Sequence, residues 1–258
     1  ENGTGRFPEP KSILDFTLSY IKENQILKNQ FKNISILITA GPTIEEIDPI
    51  RFVSNKSSGK QGFEIASELT RRGAQVTLIS GPVNIPFPNC KNIIQVRTAK
   101  EMLDNVTQQL PTDILICSAA VADWKLIPKT SSNNKIDTNN KIKKTNKKLF
   151  FETEKNPDIL ESISKSNVRP KIVIGFSAET NNIKKNAFSK LISKNADLII
   201  ANDVSNNKVF GEDFNKVILV DKNNYEEWEK QSKKSVAYHL ANKISSLLTN
   251  FDQWVVYA

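Results

Sequence analysis

Short apolar segments alternate with amphipathic segments along most of the chain. Residues 34–40 form an apolar run rich in β-branched side chains, which is typical of a strand buried on both faces. In residues 59–72, Phe63, Ala66 and Leu69 fall at helical spacing. Continued alternation predicts a Rossmann-like three-layer α/β fold, with a mainly parallel sheet between helices. The other predicted strands are 75–80, 113–118, 171–176, 197–201 and 217–220, and the other predicted helices are 98–109, 157–165, 183–194 and 227–248.

Three stretches fall outside this alternation. Residues 1–33 are a polar lead with one amphipathic helix near 13–26, and we interpret them as a linker to the main domain at 34–249. Residues 250–258 form a short tail. Residues 125–151 are a polar insert rich in Ser, Asn and Lys. An ordinary strand-to-helix connection takes about 2–6 residues, so the insert is either a functional flap or a disordered segment.

Positive charge is concentrated in this insert, at 141–144 and 147–148. A charge run of this kind is usually solvated. The whole chain of 258 residues has a net charge of +8 and a pI near 9.3. Such a charge suits a nucleic acid, an anionic membrane surface or a small polyanionic substrate, and we favour the last. A general bias of composition towards Lys, Asn and Ile explains the net charge equally well.

Several classes of protein are disfavoured by the residues present. Cys117 lies in an apolar run and Cys90 is the other cysteine, so we expect a reducing cytoplasm and no disulfide framework. Apolar runs fall short of the roughly 18 residues that span a bilayer, so we expect no membrane partner. The single histidine, His239, lies in a predicted helix, which disfavours a zinc site and a histidine-based triad. The remaining Lys, Asp, Asn and Ser suit reactions that hold and neutralise phosphates.

The loop between the first predicted strand and helix has the composition of an anion cradle. Gly41, Gly59 and Gly62 allow the backbone to turn and to approach a ligand closely. Ser57, Ser58 and the free amides of the helix start offer hydrogen-bond donors to phosphate oxygens. The loop matches neither G-x-G-x-x-G nor the Walker G-x-x-x-x-G-K-[ST] pattern.

Later loops at the ends of predicted strands carry weaker signals. Small residues from Ser118 onward leave room for a base or a ribose, and Asp123 suits a magnesium ion or a ribose hydroxyl, although tight packing and a helix cap explain them equally well. Phe176 is placed to stack on a base, but core packing is favoured for it taken alone. Lys190 and Lys194 share one helical face and are solvated by default.

The segment before the predicted helix at 157–165 reads as a helix start. Asn156 is the predicted N-cap, Pro157 takes the first helical position and Asp158 the first turn. On its own, this signal is structural.

Five motifs taken together, in chain order, resemble the bacterial phosphopantothenoylcysteine synthetase of coenzyme A biosynthesis. They are GPTIEEIDPIRFVSNKSSGKQG, AAVADW, KIKK, KNPDIL and GFSAETNN. The likeness covers roughly residues 34–248. Residues 2–10 look like the end of the flavin-dependent decarboxylase that precedes the synthetase in a bifunctional protein, with Phe7 where that motif usually has Met. The resemblance therefore implies a C-terminal half, with FMN and decarboxylation belonging to the other half.

The resemblance implies a ligase that joins 4′-phosphopantothenate to L-cysteine with CTP. In this reaction the substrate carboxylate attacks the α-phosphate of CTP, pyrophosphate leaves, and the cysteine amine displaces CMP from the acyl-cytidylate. Lysines and Mg²⁺ would offset repulsion among the phosphates and the carboxylate. The family further implies a cytoplasmic homodimer formed by the synthetase domain, and a higher oligomer when the decarboxylase half is present.

The matching motifs also imply roles for individual residues. Asn55 is the catalytic asparagine that orients the substrate carboxylate, and Lys141 is a flap lysine that reaches the phosphates. Asp123 is the implied Mg²⁺ ligand. Two departures are Gln61, which replaces the usual Met, and a flap that is longer and richer in Asn than is common. The implied nucleotide-binding positions are Ser57, Ser58, Gly59, Cys117, Ser118, Ala119, Asp123, Lys141, Pro157, Asp158, Ile159, Leu160, Phe176, Lys190 and Lys194.

Three alternatives remain open at this point. A nicotinamide-dependent Rossmann oxidoreductase has the same fold, but the glycine fingerprint is missing and Ser80-Gly81 stands where an acidic residue would end the second strand. A nucleic-acid-binding protein would use the lysines at 141–148, although aromatic residues are not interleaved there. An inactive remnant is disfavoured by four intact residues, namely Asn55, Ser57, Asp123 and Lys141. The choice of CTP over another nucleotide depends on the resemblance alone.

Overall fold

An eight-stranded sheet forms the centre of the chain in the computed structural model, which describes residues 8–145, 148–205 and 211–255. Most of the decarboxylase-like segment, Lys147 and residues 256–258 lie outside the described residues. The strands are β1 (Ser35–Ala40), β2 (Ile44–Glu46), β3 (Phe52–Ser54), β4 (Gln75–Ser80), β5 (Asn92–Gln95), β6 (Ile114–Cys117), β7 (Trp124–Lys129), β8 (Phe150–Lys155), β9 (Ile172–Glu179), β10 (Leu198–Asp203), β11 (Phe214–Val220) and β12 (Tyr225–Ser232). The helices are α1 (Pro10–Leu27), α2 (Lys60–Arg71), α3 (Ala99–Gln108), α4 (Ile159–Ser164), α5 (Ile183–Ser193) and α6 (Lys233–Val255).

The strand order is β12-β11-β10-β9-β6-β1-β4-β5. The six strands from β10 to β5 are parallel, and β11 and β12 extend the sheet in antiparallel pairing. In the centre of the sheet, Leu37 of β1 pairs with Leu115 of β6 and with Thr77 of β4. The strand order reverses between β1 and β6, which is where ligands bind in open parallel sheets.

Helices cover both faces of the sheet. Because successive strand residues point to opposite faces, Ile36 and Ile38 pack on one side and Leu37 on the other. The first side is covered by α2 and α6 and the second by α3, α4 and α5. The predicted three-layer α/β fold is confirmed. Phe31, which follows α1, is fully buried in the first side, and its N–H donates to the Arg72 carbonyl at 3.0 Å.

The closing helix begins later than the sequence predicts. Residues 225–232 form the edge strand β12, which pairs antiparallel with β11, and α6 starts at Lys233. The prediction of helix from 227 was wrong because the helical spacing of buried Val236, Leu240 and Ile244 begins only after the strand. The strands β2, β3, β5, β7 and β8 were also missed.

The polar insert has a two-stranded base. Strands β7 and β8 pair antiparallel from Trp124 opposite Lys155 to Lys129 opposite Phe150. Next to them, β2 and β3 form a second small antiparallel sheet, and β2 lies against β7. The insert is therefore a flap with an ordered base above the main sheet.

Candidate functional site

A cleft of about 1130 Å³ opens at the carboxyl ends of β1, β6, β9 and β10. This volume is ample for a nucleotide together with a second small substrate. All the predicted site residues except Lys141 line it: Asn55, Ser57, Ser58, Gly59, Cys117, Ser118, Ala119, Asp123, Pro157, Asp158, Ile159, Leu160, Phe176, Lys190 and Lys194.

The start of α2 has the geometry of an anion-binding helix terminus. Gly59 precedes the helix with a φ of 76°, a left-handed conformation that favours glycine, and the helix has no side-chain cap. The Ser57 hydroxyl accepts a hydrogen bond from the Gly59 N–H at 3.3 Å. At Gly62, an added Cβ would lie 2.7 Å from the Ala40 Cβ, so only glycine allows α2 to approach β1 so closely. The uncapped amides of the first turn are suited to phosphate oxygens.

Asn55 is fixed to the loop that follows β6. Its Nδ2 donates to the Ala120 carbonyl at 3.0 Å, and the neighbouring Ser54 hydroxyl donates to the Thr43 carbonyl at 2.8 Å. Ala120 in turn donates its N–H to the Gly41 carbonyl at 2.9 Å. These bonds join the two loops on which most of the predicted residues lie, and they leave Asn55 exposed to a ligand.

The loop after β6 carries Cys117 at one end and Asp123 at the other. Burial raises the pKa of Cys117 to about 12, so its thiol stays protonated and is a poor nucleophile. Asp123 is exposed, and its backbone carbonyl accepts from the Asn156 N–H at 3.0 Å. Among the described residues, no group of three or more His, Cys, Asp or Glu side chains is arranged to hold a metal ion. A magnesium ion at Asp123 would therefore take its other ligands from substrate phosphates and water, which is usual for Mg²⁺.

The α4–α5 side of the cleft, which we define by Asp158, Glu161, Lys190 and Lys194, is rich in ion pairs. Lys194 Nζ lies 3.0 Å from an Asp158 oxygen and 2.6 Å from a Glu161 oxygen, and Lys190 Nζ donates to the Phe176 carbonyl at 3.0 Å. The hydrogen bond to Glu161 raises the pKa of Lys194. Both lysines are half-buried and not solvated, as lysines on one helical face are by default, and their role as nucleotide-binding residues stays a prediction.

The N-cap of α4 also differs from the prediction. Asp158 is the cap, because its Oδ1 accepts from the Glu161 N–H at 2.8 Å and the helix begins at Ile159. Asn156 was predicted as the cap, but its Nδ2 donates instead to the Ala122 carbonyl at 2.9 Å. The amide of Asn156 therefore connects the start of α4 to the loop after β6.

Lys141 lies on the flap, is exposed, and does not line the cleft. The next residue is anchored to the turn between β2 and β3. The Ile142 N–H donates to Asp48 Oδ2 at 3.1 Å, and Arg51 Nη2 donates to the Ile142 carbonyl at 2.7 Å. Hydrogen bonds from Arg51 hold the pKa of Asp48 well below its usual range, against the opposing effect of burial. Asp48 and Arg51 thus fix one point of the basic segment.

Sequence reasoning missed the α2–α6 side of the cleft, which we define by Lys60, Gln61, Asn202, Asn215 and Lys233. One signal was available. Lys233 precedes Val236 and Leu240 at helical spacing, so it falls on the apolar face of α6, where a lysine is unusual. Three side-chain atoms of the cleft are buried with no hydrogen-bond partner in the described part of the chain: Gln61 Oε1, Asn215 Oδ1 and Ser177 Oγ.

Comparison with known proteins identifies the family of the chain that contains this cleft. The family model for the DNA/pantothenate metabolism flavoprotein C-terminal domain matches residues 31–248. The chain belongs to this family. The resemblance drawn from the five motifs is thereby confirmed.

Two curated relatives of the chain are named as bifunctional proteins. The chain is 39% identical over 243 residues to the coenzyme A biosynthesis bifunctional protein CoaBC of Haemophilus influenzae, covering 94% of this chain and 58% of that protein. It is 41% identical over 238 residues to the protein of the same name from Borreliella burgdorferi, covering 92% of this chain and 57% of that protein. The chain therefore spans somewhat more than half the length of these two relatives.

A solved structure in the family has the same fold. The crystal structure of the C-terminal domain of CoaBC matches with a TM-score of 0.70 and 34% identity, covering 86% of this chain and 99% of that chain. Within the described residues, the helices are all too short or too polar to cross a membrane.

Proposed function

We propose that this chain is a CTP-dependent ligase that joins 4′-phosphopantothenate to L-cysteine in coenzyme A biosynthesis. The reaction would pass through phosphopantothenoyl-cytidylate and release pyrophosphate and CMP. The observation that carries the proposal is the convergence of all the motif residues except Lys141 on one cleft, in a chain of this family. Family membership favours this ligase over an oxidoreductase or a nucleic-acid-binding protein.

The cleft has groups suited to each part of the reaction. The uncapped start of α2 offers amides to the phosphates, and Asn55, held by Ala120, is proposed to orient the substrate carboxylate towards the α-phosphate. Phe176 is proposed to stack on the base. Asp123 is proposed to hold Mg²⁺ together with the phosphates, where the ion would neutralise their charge.

Lys141 is proposed to act from the flap. It is exposed one residue before the contact between Ile142 and Asp48, so its ammonium group is available to a bound triphosphate. The proposed role is to neutralise the phosphates and help turn over the acyl-cytidylate. Lys141 differs from the other proposed site residues in that it does not line the cleft.

Several further properties are part of the proposal. We propose that residues 34–249 form the synthetase domain, that residues 1–33 connect it to a decarboxylase half, and that the enzyme is cytoplasmic. A homodimer through the small sheets is supported by exposed apolar side chains on β3, β7 and β8, namely Phe52, Trp124, Phe150 and Phe151.

The test is product formation by the purified chain with Mg²⁺, CTP, phosphopantothenate and cysteine, followed by mass spectrometry. We expect phosphopantothenoylcysteine and CMP from the unmodified chain, and at least about a 100-fold lower rate from Asn55→Ala. Asn89→Ala is the matched control, because Asn89 is exposed and lies outside the cleft. Replacing CTP with ATP tests the nucleotide. Absence of product from the folded chain, or equal rates in the two variants, would contradict the proposal.

A further inference from the structure

Two lysines from distant parts of the sequence meet on the α2–α6 side of the cleft. Lys60 is the first residue of α2 and Lys233 the first residue of α6. The Lys233 N–H donates to the Asp213 carbonyl at 2.8 Å, and its carbonyl accepts from Gln61 Nε2 at 3.1 Å. Lys60 Nζ donates to Asp213 Oδ1 and to the Gly211 carbonyl, both at 2.8 Å. These bonds hold the two lysines on either side of the segment that enters β11.

The two lysines of this side differ in how far the protein neutralises them. The Asp213 side chain is 75% exposed and already pairs with Lys60. Lys233 is only 8% exposed, and no ion pair to it is found among the described residues. Burial lowers the pKa of Lys233, the charge of Lys60 lowers it further, and Asp213 and Glu212 oppose the shift. The positive end of the α2 dipole adds to the two ammonium groups.

The same side has polar groups without partners. Asn215 is 4% exposed and lines the cleft, and its Oδ1 has no partner in the described residues, although its Nδ2 donates to Asn202 Oδ1 at 2.8 Å. Gln61 Oε1 is also buried and has no hydrogen-bond partner in the described residues. A buried polar atom without a partner is costly, and such atoms in a cleft indicate a ligand or its water. Both unpartnered atoms are amide oxygens, which accept hydrogen bonds, so they can bind the water molecules around a hydrated anion rather than a phosphate oxygen itself.

Unlike Lys233, the two lysines of the α4–α5 side have partners within the protein. Lys194 is neutralised by Asp158 and Glu161, and Lys190 is satisfied by a backbone carbonyl. A ligand with several negative charges at one end is therefore stabilised most when that end lies on the α2–α6 side.

We propose that the α2–α6 side, with Lys233 as its buried cation, binds the two terminal phosphates of the nucleoside triphosphate and holds them as the pyrophosphate leaving group. This inference deepens the proposed function and rests on it for the identity of the nucleotide. The substrate phosphate of phosphopantothenate has the same chemistry, so the test includes it as a separate probe. In the reaction, a carboxylate oxygen of phosphopantothenate forms a bond to the α-phosphorus while the bond from that phosphorus to the bridging oxygen breaks, and the bridging oxygen leaves with the electron pair on pyrophosphate. Lysine ammonium groups stabilise this charge.

The test measures binding of sodium pyrophosphate, CMP and phosphopantothenate by calorimetry, each as a separate titration. Lys233→Met removes the charge with little change of volume, and Lys233→Arg keeps it. The matched control is Lys234→Met, because Lys234 is the next residue of the same helix and is exposed. We expect Lys233→Met to weaken pyrophosphate binding at least about tenfold, Lys233→Arg to retain most of it, and Lys234→Met to change it less than about twofold. CMP binding should be the same in all variants.

Several results would overturn the inference. They are unchanged pyrophosphate binding in Lys233→Met, an equal loss in Lys234→Met, or a loss confined to CMP or to phosphopantothenate. Thermal unfolding shows whether each variant is folded. If Lys233→Met is not, Lys60→Met gives the second measurement, and it is expected to weaken pyrophosphate binding about threefold or more.

Failure of this inference is distinguishable from failure of the proposed function. If the chain forms product while Lys233→Met binds pyrophosphate normally, the ligase stands and the subsite is wrong. If pyrophosphate binding depends on Lys233 while no product forms, the anion subsite stands and the ligase is wrong.

Discussion

Lys194 and Lys233, on the two sides of the cleft, are lysines in opposite states. On the α4–α5 side, Lys194 is paired with two carboxylates and Lys190 with a carbonyl, so the protein itself satisfies both lysines. On the α2–α6 side, Lys233 is more deeply buried and lies near another lysine, while Asn215 Oδ1 has no partner in the described residues. Lysines that the protein satisfies help to give the site its shape, whereas a buried lysine without an ion pair in the described residues favours an anionic ligand.

The largest expected effect is on stability, and it comes from a third cation, Arg72, whose hydrogen bonds are made within the protein. Arg72 is fully buried and donates to Glu68, Gln30 and Asn242. Arg72→Met should lower the free energy of unfolding by about 3 kcal/mol, because it breaks a buried ion pair and leaves Glu68 with Arg71 as its cation, while Gln30 Oε1 and Asn242 Oδ1 lose their donor. Lys233→Met should leave stability unchanged or raise it, because it removes a buried charge without separating an ion pair. Denaturant unfolding of both variants measures the difference, and equal losses would contradict the contrast.

A charge reversal is the second way to test the comparison. Lys233→Glu places a negative charge where we propose that the terminal phosphates bind. We expect kcat/KM for CTP to fall about 100-fold or more, with Lys234→Glu as the exposed control falling less than about threefold. Steady-state kinetics at saturating phosphopantothenate and cysteine measures both variants. Similar losses of kcat/KM in the two variants would mean that the net charge of the protein, and not the position of Lys233, governs the use of CTP.

The third prediction concerns the α4–α5 side. Lys194→Met leaves the carboxylates of Asp158 and Glu161 without this cation at the edge of the cleft. Their repulsion should weaken CMP binding by up to about tenfold, while pyrophosphate binding should change less than about twofold. Parallel titrations with the two ligands measure this. A greater loss for pyrophosphate than for CMP would reverse our assignment of the two sides.

The smallest expected effect is a pH dependence. Since the pKa of Lys233 is lowered, its charge is lost below the usual range of lysine as the pH rises. Relative to Lys233→Met, the affinity of the unmodified chain for pyrophosphate should therefore decline as the pH rises from neutral towards about 10.4, the ordinary pKa of lysine. Lys60, Asp213 and Glu212 face the same region and are present in both proteins, so the comparison isolates Lys233. If the pyrophosphate affinities of the unmodified chain and of Lys233→Met changed in parallel with pH, the charge of Lys233 would not contribute to binding.

Much of the fold could be predicted from the sequence. Strands such as β1 and β6 are continuous apolar runs, and burial on both faces demands that pattern. The edge strand β12 is mostly exposed and reads YEEWEKQS, so no run of apolar residues marks it. Its existence depends on pairing with β11, a long-range contact that residue spacing does not reveal.

The site could be predicted in part for a similar reason. The loop from Ser57 to Gly62 has a local signature, because the glycines and serines act within one turn of backbone. The role of Lys233 depends on which residues surround it, and its neighbours Lys60 and Asp213 come from other elements. The pairing of Lys194 with Asp158 is also long-range, and helical spacing alone does not reveal it.

The measurement that tests the central claim most directly is mass spectrometry of a single turnover without cysteine. The chain is mixed with Mg²⁺, CTP and phosphopantothenate, quenched, and examined for phosphopantothenoyl-cytidylate and pyrophosphate. Our account predicts both species in equal amounts from the unmodified chain, little of either from Asn55→Ala, and conversion to phosphopantothenoylcysteine and CMP when cysteine is added. Neither species from a folded sample, or equal yields from Asn55→Ala, would contradict the assignment of this cleft as a CTP-dependent ligase site.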